Sequence, residues 1–92
     1  MESTCYRLKR YKFPRKEMQH ELEHVELALV QHTHCLVTVN EYCEINHTRY
    51  YHWIAVRHSV VYDSLCCEPC MIRSYVSKID AIYFVELKPD QT

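Results

Sequence analysis

The chain has 92 residues, twelve Asp/Glu against eleven Lys/Arg, a formal net charge of −1 and no glycine. That size makes a single domain, 1–92, and that charge excludes a chain that is basic throughout. The missing glycine excludes phosphate-cradling loops, dinucleotide fingerprints and nucleophile elbows in their standard forms, because each needs close backbone approach or a positive φ.

No apolar run follows Met1, and no run reaches the roughly 18 residues that cross a bilayer, so the expectation is a cytoplasmic protein without a membrane span. Six cysteines in a reducing compartment read as free thiols or metal ligands rather than disulfides. Cys5 to Phe13, CYRLKRYKF, reads as a first strand: Tyr6 and Leu8 share one face, Tyr11 and Phe13 the other. Six of the eleven Lys/Arg lie between Arg7 and Lys16. Aromatics among cations stack bases and hold phosphates, so Arg7, Lys9, Arg10, Tyr11 and Lys12 are candidate RNA-binding residues. The alternative is an edge strand kept soluble by its charges.

Pro14 suits a first helical position, and Arg15 to Gln31 follows with Met18, Leu22, Val25 and Leu29 on one stripe. Leu27 and Val30 fall off it and suit a second surface or a partner. His20-Glu21-Leu22-Glu23-His24 resembles the HExxH pattern of zinc proteases, in which histidines at i and i+4 grip one metal. The helical wheel puts both histidines opposite the core stripe, and the glycine of the metzincins is missing. A solvated His/Glu face is therefore expected.

His32 to Asn40 reads as the second strand, and Glu41 to His47 as a polar connection or its continuation. Thr48 to Leu65, TRYYHWIAVRHSVVYDSL, is a two-strand ribbon with a period of two and the single tryptophan, Trp53. A reversal at Arg57-His58 pairs Val56 with Ser59, Ile54 with Val61, and His52 with Asp63. Neither turn residue is Gly or Asn, which disfavours a two-residue primed turn at that position. Pro69 opens a second helix with Ile72, Tyr75, Val76 and Ile79 as its stripe. Asp80-Ala81 is a turn, and Ile82 to Leu87, apolar on both faces, is a final central strand.

The words HWIAVR and VYDSL resemble the histidine strand and following strand of papain-like cysteine hydrolases, such as Josephin-type deubiquitinases and small-ubiquitin-modifier proteases. The resemblance implies His52 as base and Asp63 as its orienting partner. No cysteine sits in the glycine-containing nucleophile motif of those families, and a triad needs three members. Without a thiol, the pair is a cross-strand stabiliser. Tyr75-Val76-Ser77-Lys78 resembles the YxxK of rolling-circle replication initiators, whose strand carries a metal-binding histidine pair. Here that strand offers His52 only, and Tyr75 falls on an apolar stripe, which makes it a core tyrosine. Cys43-x3-His47 and Cys67-x2-Cys70 have spacings that close on tetrahedral zinc, so zinc is a cofactor alternative to none.

The order predicts an α+β fold, with two helices on one face of a mostly antiparallel four- to five-stranded sheet in a ferredoxin-like βαββ(β)αβ arrangement. In its composition, rich in Tyr, His and Cys, the chain looks similar to small accessory proteins of viruses. The expected function is an interaction protein that binds a host protein or RNA, for example in innate immune signalling. Arg7, Lys9, Arg10, Lys12, Tyr11, His52, Trp53 and Asp63 are the candidate binding residues. A minimal cysteine hydrolase or a zinc module is the alternative.

Overall fold

A computed structural model describes residues 5–65 and 68–88. It is α+β: one sheet of six antiparallel strands with a single α-helix and three 3-10 turns. The strands are β1 (Cys5–Arg10), β2 (His34–Cys43), β3 (Thr48–Arg57), β4 (Val60–Tyr62), β5 (Cys70–Met71) and β6 (Ile79–Lys88), in the spatial order β1-β6-β2-β3-β4-β5. Helix α1 spans Leu22–Gln31. Strand β6 lies between β1 and β2, as its apolar faces imply.

The first half follows the split βαβ pattern: β1, α1 and β2, with another strand inserted between the two. The ferredoxin-like second half is not matched. The expected helix after Pro69 is replaced by β5 and the 3-10 turns Ile72–Ser74 and Val76–Lys78. Only seven residues, 72–78, separate β5 from β6. A span that short is marginal as a helix, and Ser, Tyr and Val are poor helix formers. The expected stripe is nevertheless buried: Ile72, Tyr75, Val76 and Ile79 all join the core.

The first predicted helix is also interrupted. Lys16–His20 is a 3-10 turn, Glu21 is extended (φ −95°, ψ 123°), and α1 begins at Leu22. Polar contacts hold the 3-10 piece against the start of β6. The Gln19 amide donates to the carbonyls of Ile79 and Asp80, at 3.5 Å each, and the His20 ring lies 3.4 Å from the Val76 carbonyl. From α1, Val25, Ala28 and Leu29 are buried, while Leu22 is exposed. Each fully buried Val or Leu contributes roughly 1.5–3 kcal/mol.

The covering elements lie on one sheet face, over Cys35, Val37 and Val39 of β2, Ile54 and Val56 of β3, Val61 of β4 and Ile82 of β6. Beyond β1, Tyr11 and Phe13 meet edge to face at 4.9 Å, and His32 stacks on Phe84 at 3.7 Å. At Asp80 the β2–β6 register shifts, so the expected turn is a bulge. The Asp80 carboxylate accepts a hydrogen bond from the Thr38 hydroxyl at 3.2 Å.

The β3–β4 reversal falls one residue later than expected. His58 (φ 51°) and Ser59 (φ 64°) form the turn, and Arg57 pairs Val60, Val56 pairs Val61 and Ala55 pairs Tyr62. Both turn residues are left-handed, a conformation that costs about 1–2 kcal/mol for an L-residue. Sliding the turn by one residue moves the pairing by two, which preserves every side chain's face. Continuing the ladder sets Asp63 across from Ile54 rather than His52, yet His52 and Asp63 still share a face.

Candidate functional site

The sheet face opposite α1 is left uncovered among the described residues. Cross-strand pairs fix its membership. One row runs Arg10–Tyr83–Leu36–Ala55–Tyr62 across five strands, and a parallel row runs Ala81–Thr38–Trp53. Tyr6, Leu8 and Val85 extend the face toward β1, Arg49, Tyr51 and Arg57 toward the length of β3, and Met71 toward β5. Tyr6, Leu8, Tyr51, Trp53, Tyr62, Met71 and Val85 are between 46% and 66% exposed. Patches of this kind on a small protein mark interaction sites. Trp53 and Tyr83 lie with ring centroids 5.3 Å apart at the centre of the face.

Basic side chains outnumber acidic ones on this face. Its strands present Arg10, Arg49, Arg57 and His34, and among the described residues the acidic member is Asp80, already bonded to Thr38. Two concavities interrupt the face. A cleft of about 320 Å³ at the end of β1 is lined by Arg10, Tyr11, Lys12, Phe13, Lys16, Gln19, Asp80 and Ala81. A mostly apolar trough of about 540 Å³ at the other end includes His34, Leu36, Ala55, Arg57, Tyr62 and Val85.

The predicted site residues divide between the two faces. Arg10 and Trp53 stand on the open one. Arg7 and Lys9 point to the helix side, where the Arg7 guanidinium pairs with Glu86 at 3.1 Å. Tyr11 and Lys12 lie past β1 in the basic cleft. Tyr62, Tyr83, Arg57 and Lys16 belong to this surface and were not singled out from the sequence. For Tyr62, Tyr83 and Arg57 the signal was the phase of alternation opposite to the buried Ile54, Val56, Val61 and Ile82; for Lys16 it was only the basic run from Arg7 to Lys16.

His52 and Asp63 lie on the covered face, in a separate recess of about 290 Å³ with Glu41, Leu65, Cys70, Ser74, Tyr75 and Lys78. The Asp63 carboxylate is nearly buried and accepts from three donors. These are the Leu65 amide at 2.9 Å, the Tyr75 hydroxyl at 3.0 Å and, with its proton on Nε2, the His52 ring at 3.3 Å. Burial pushes this carboxyl up, but the three donors and the adjacent imidazole together outweigh it and hold the group below the usual carboxylate range. Tyr75 is 7% exposed and spends its hydroxyl on Asp63, and Lys78 pairs with Glu41 at 3.0 Å. The YxxK residues are thus engaged in structure.

Cys70 lines the same recess as His52. Its thiol is directed to the Glu68 carbonyl at 3.5 Å, and no hydrogen bond joins it to the ring among the described residues. It sits on a two-residue strand, without the helix N-terminus that stabilises a thiolate. Cys35 is buried, donates to the His32 carbonyl at 3.0 Å, and is pushed up to about 11 by desolvation. The HExxH residues do not share a helix, because the break at Glu21 separates them. His24 pairs with Glu21 at 3.3 Å, and His20 faces Val76. Among the described residues no group of three His, Cys, Asp or Glu is placed to hold a metal. Cys67 and the Cys43 side chain, half of the zinc reading, lie outside the described residues.

No protein-family model matches this chain, and neither the curated proteins nor the solved structures contain a significant match. Among the described residues no helix is long and apolar enough to cross a membrane.

Proposed function

We propose that this protein is a binding module, that the uncovered sheet face is its working surface, and that the ligand is single-stranded RNA. The observation that carries the reading is the composition of that face, where tyrosines and the tryptophan stand among arginines with one engaged carboxylate. Bases stack on such rings at about 1–3 kcal/mol each without much regard to sequence, and the guanidinium groups meet the phosphates. The chain's net charge of −1 makes this segregation more informative. Its acids gather elsewhere, with Glu21, Glu23 and Glu26 along the helical layer. An exposed strand face suits an unpaired strand rather than a duplex, whose bases are already stacked.

Tyr, Trp, Met and Arg also suit a protein interface, and a host protein target of the kind viral accessory proteins bind is the competing partner. Fluorescence anisotropy with a labelled oligouridylate separates the two. Binding should weaken steeply with salt, with a slope set by the number of phosphates neutralised. Trp53→Ala should weaken it about tenfold. Binding that is absent at low salt, or indifferent to Trp53→Ala, would refute the RNA reading and leave the face to a protein.

A further inference from the structure

The basic cleft at the end of β1 is more specific than the face it adjoins. Arg10, Lys12 and Lys16 converge on it from β1, the following segment and the 3-10 turn. Among the described residues none of the three is taken up by an ion pair or a side-chain hydrogen bond, whereas Arg7 and Lys78 are both paired. Gln19 also lines the cleft, with its amide already donating to the Ile79 and Asp80 carbonyls, and Tyr11 and Phe13, edge to face, form an aromatic wall. Asp80 is the lining carboxylate. Three cations against one carboxylate leave two positive charges in a space of about 320 Å³.

An internal phosphodiester carries one negative charge. A terminal phosphate monoester carries between −1.5 and −2 at neutral pH and offers three acceptor oxygens. The cleft therefore suits a strand end better than a point along the strand. Its place in the fold agrees. Arg10 is both the last residue of β1 and a member of the open-face row through Tyr83, so the cleft opens onto the proposed RNA track at its corner. Tyr83 and Trp53 stand next along that face, and the apolar trough lies beyond them.

The geometry points to this cleft as a docking site for the terminal phosphate of an RNA strand, with the adjoining nucleotides laid across Tyr83 and Trp53; this rests on the RNA reading of the open face. The chemistry is the same for a 5′ or a 3′ phosphate, so both are tested. An oligouridylate with an internal fluorescein is compared in three forms: 5′-phosphorylated, 3′-phosphorylated and unphosphorylated. The proteins are the wild type, Lys12→Gln/Lys16→Gln, and Arg73→Gln as a cation outside the face.

One phosphorylated end should bind about tenfold tighter than the unphosphorylated strand. The double variant should lose that preference, so that all three strands bind it alike, while Arg73→Gln keeps both affinity and preference. Unphosphorylated RNA binding as well as either phosphorylated form, or a preference that survives the double substitution, overturns the cleft and leaves the open face standing. Failure of all three strands to bind overturns both. A phosphoserine peptide bound as tightly as the phosphorylated strand overturns the nucleic-acid assignment.

Discussion

Removing the Asp63 carboxylate tests whether the His52–Asp63 pair is a structural knot or idle chemistry. The side chain accepts from Leu65, Tyr75 and His52, and Tyr75 is 7% exposed. In Asp63→Ala the Tyr75 hydroxyl stays buried without its acceptor, a cost of about 1–3 kcal/mol, while the Leu65 amide and the His52 ring partly recover water. The total should be about 3 kcal/mol. A domain of this size has roughly 5–14 kcal/mol to lose, so the change is large. Tyr75→Phe alone should cost about 1.5 kcal/mol. In the Asp63→Ala background the same substitution should be near neutral, because the carboxylate that accepts from this hydroxyl is already gone, giving a coupling of about 1.5 kcal/mol. Urea unfolding followed by far-ultraviolet circular dichroism measures each corner of the cycle. A loss below about 1 kcal/mol for Asp63→Ala, or strictly additive substitutions, would refute the reasoning.

The same carboxylate sets an acid limb. Folded Asp63 binds its proton less readily than the unfolded chain does, so its contribution is present above the unfolded value of about 3.9 and is lost as pH falls through the lower folded value. Asp63→Asn should flatten the stability-against-pH curve in that window, and an unchanged curve would contradict the assignment. Ser59→Gly relieves a left-handed residue at φ 64° and should raise Tm by about 4 °C in calorimetry; a fall would mean that the turn lies elsewhere. Alkylation mapped by mass spectrometry should leave Cys35 unmodified while Cys70 reacts, because desolvation holds the Cys35 thiol near 11. The Cys70 rate should be indifferent to His52→Ala. A sharp drop would restore the cysteine hydrolase reading.

Period-two patterning made β1 to β4 legible and β5 was missed; the central place of β6 came from a run apolar on both faces, and the core tyrosine at position 75 from a stripe at i, i+3 spacing. The His52–Asp63 contact survived an error in register because a shifted two-residue turn preserves parity. Helical content was overestimated twice. At Glu21 the backbone of a well-patterned segment turns extended where Gln19 bonds the start of β6 and His20 the 3-10 turn before it, tertiary contacts no local pattern announces. After Pro69 the stripe of Ile72, Tyr75 and Val76 is served equally well by two 3-10 turns, because i, i+3 spacing is shared by both helix types. The open face was harder to read. Tyr51, Trp53 and Ala55 are hydrophobic residues like the buried Ile54 and Val56 beside them, so both phases of β3 read as coverable. Topology decided it by placing α1 and the 3-10 turns Ile72–Ser74 and Val76–Lys78 on the same side.

An uncovered face with this much aromatic surface ought to pair with a second copy of itself, and its charges explain why an anionic ligand fits better. Face-to-face association brings Arg10, Arg49 and Arg57 of one copy against the same set on another. Like charges at about 4 Å oppose each other by about 1 kcal/mol in water, more where the sheets exclude it, and salt screens the effect. On the proposed reading an RNA strand would meet the same arginines with opposite charge, and salt would weaken that union. One face therefore implies two opposed salt dependences. From about 0.01 M to 1 M salt the Debye length falls from about 30 Å to 3 Å, so RNA affinity should drop while self-association rises. Sedimentation velocity without RNA and anisotropy with it, on the same preparation, give both curves. Arg10→Glu/Arg57→Glu should remove the repulsion, raising self-association at low salt while abolishing RNA binding. Two curves that move in the same direction would mean that the arginines govern neither process and that the face meets its partner through apolar contact alone.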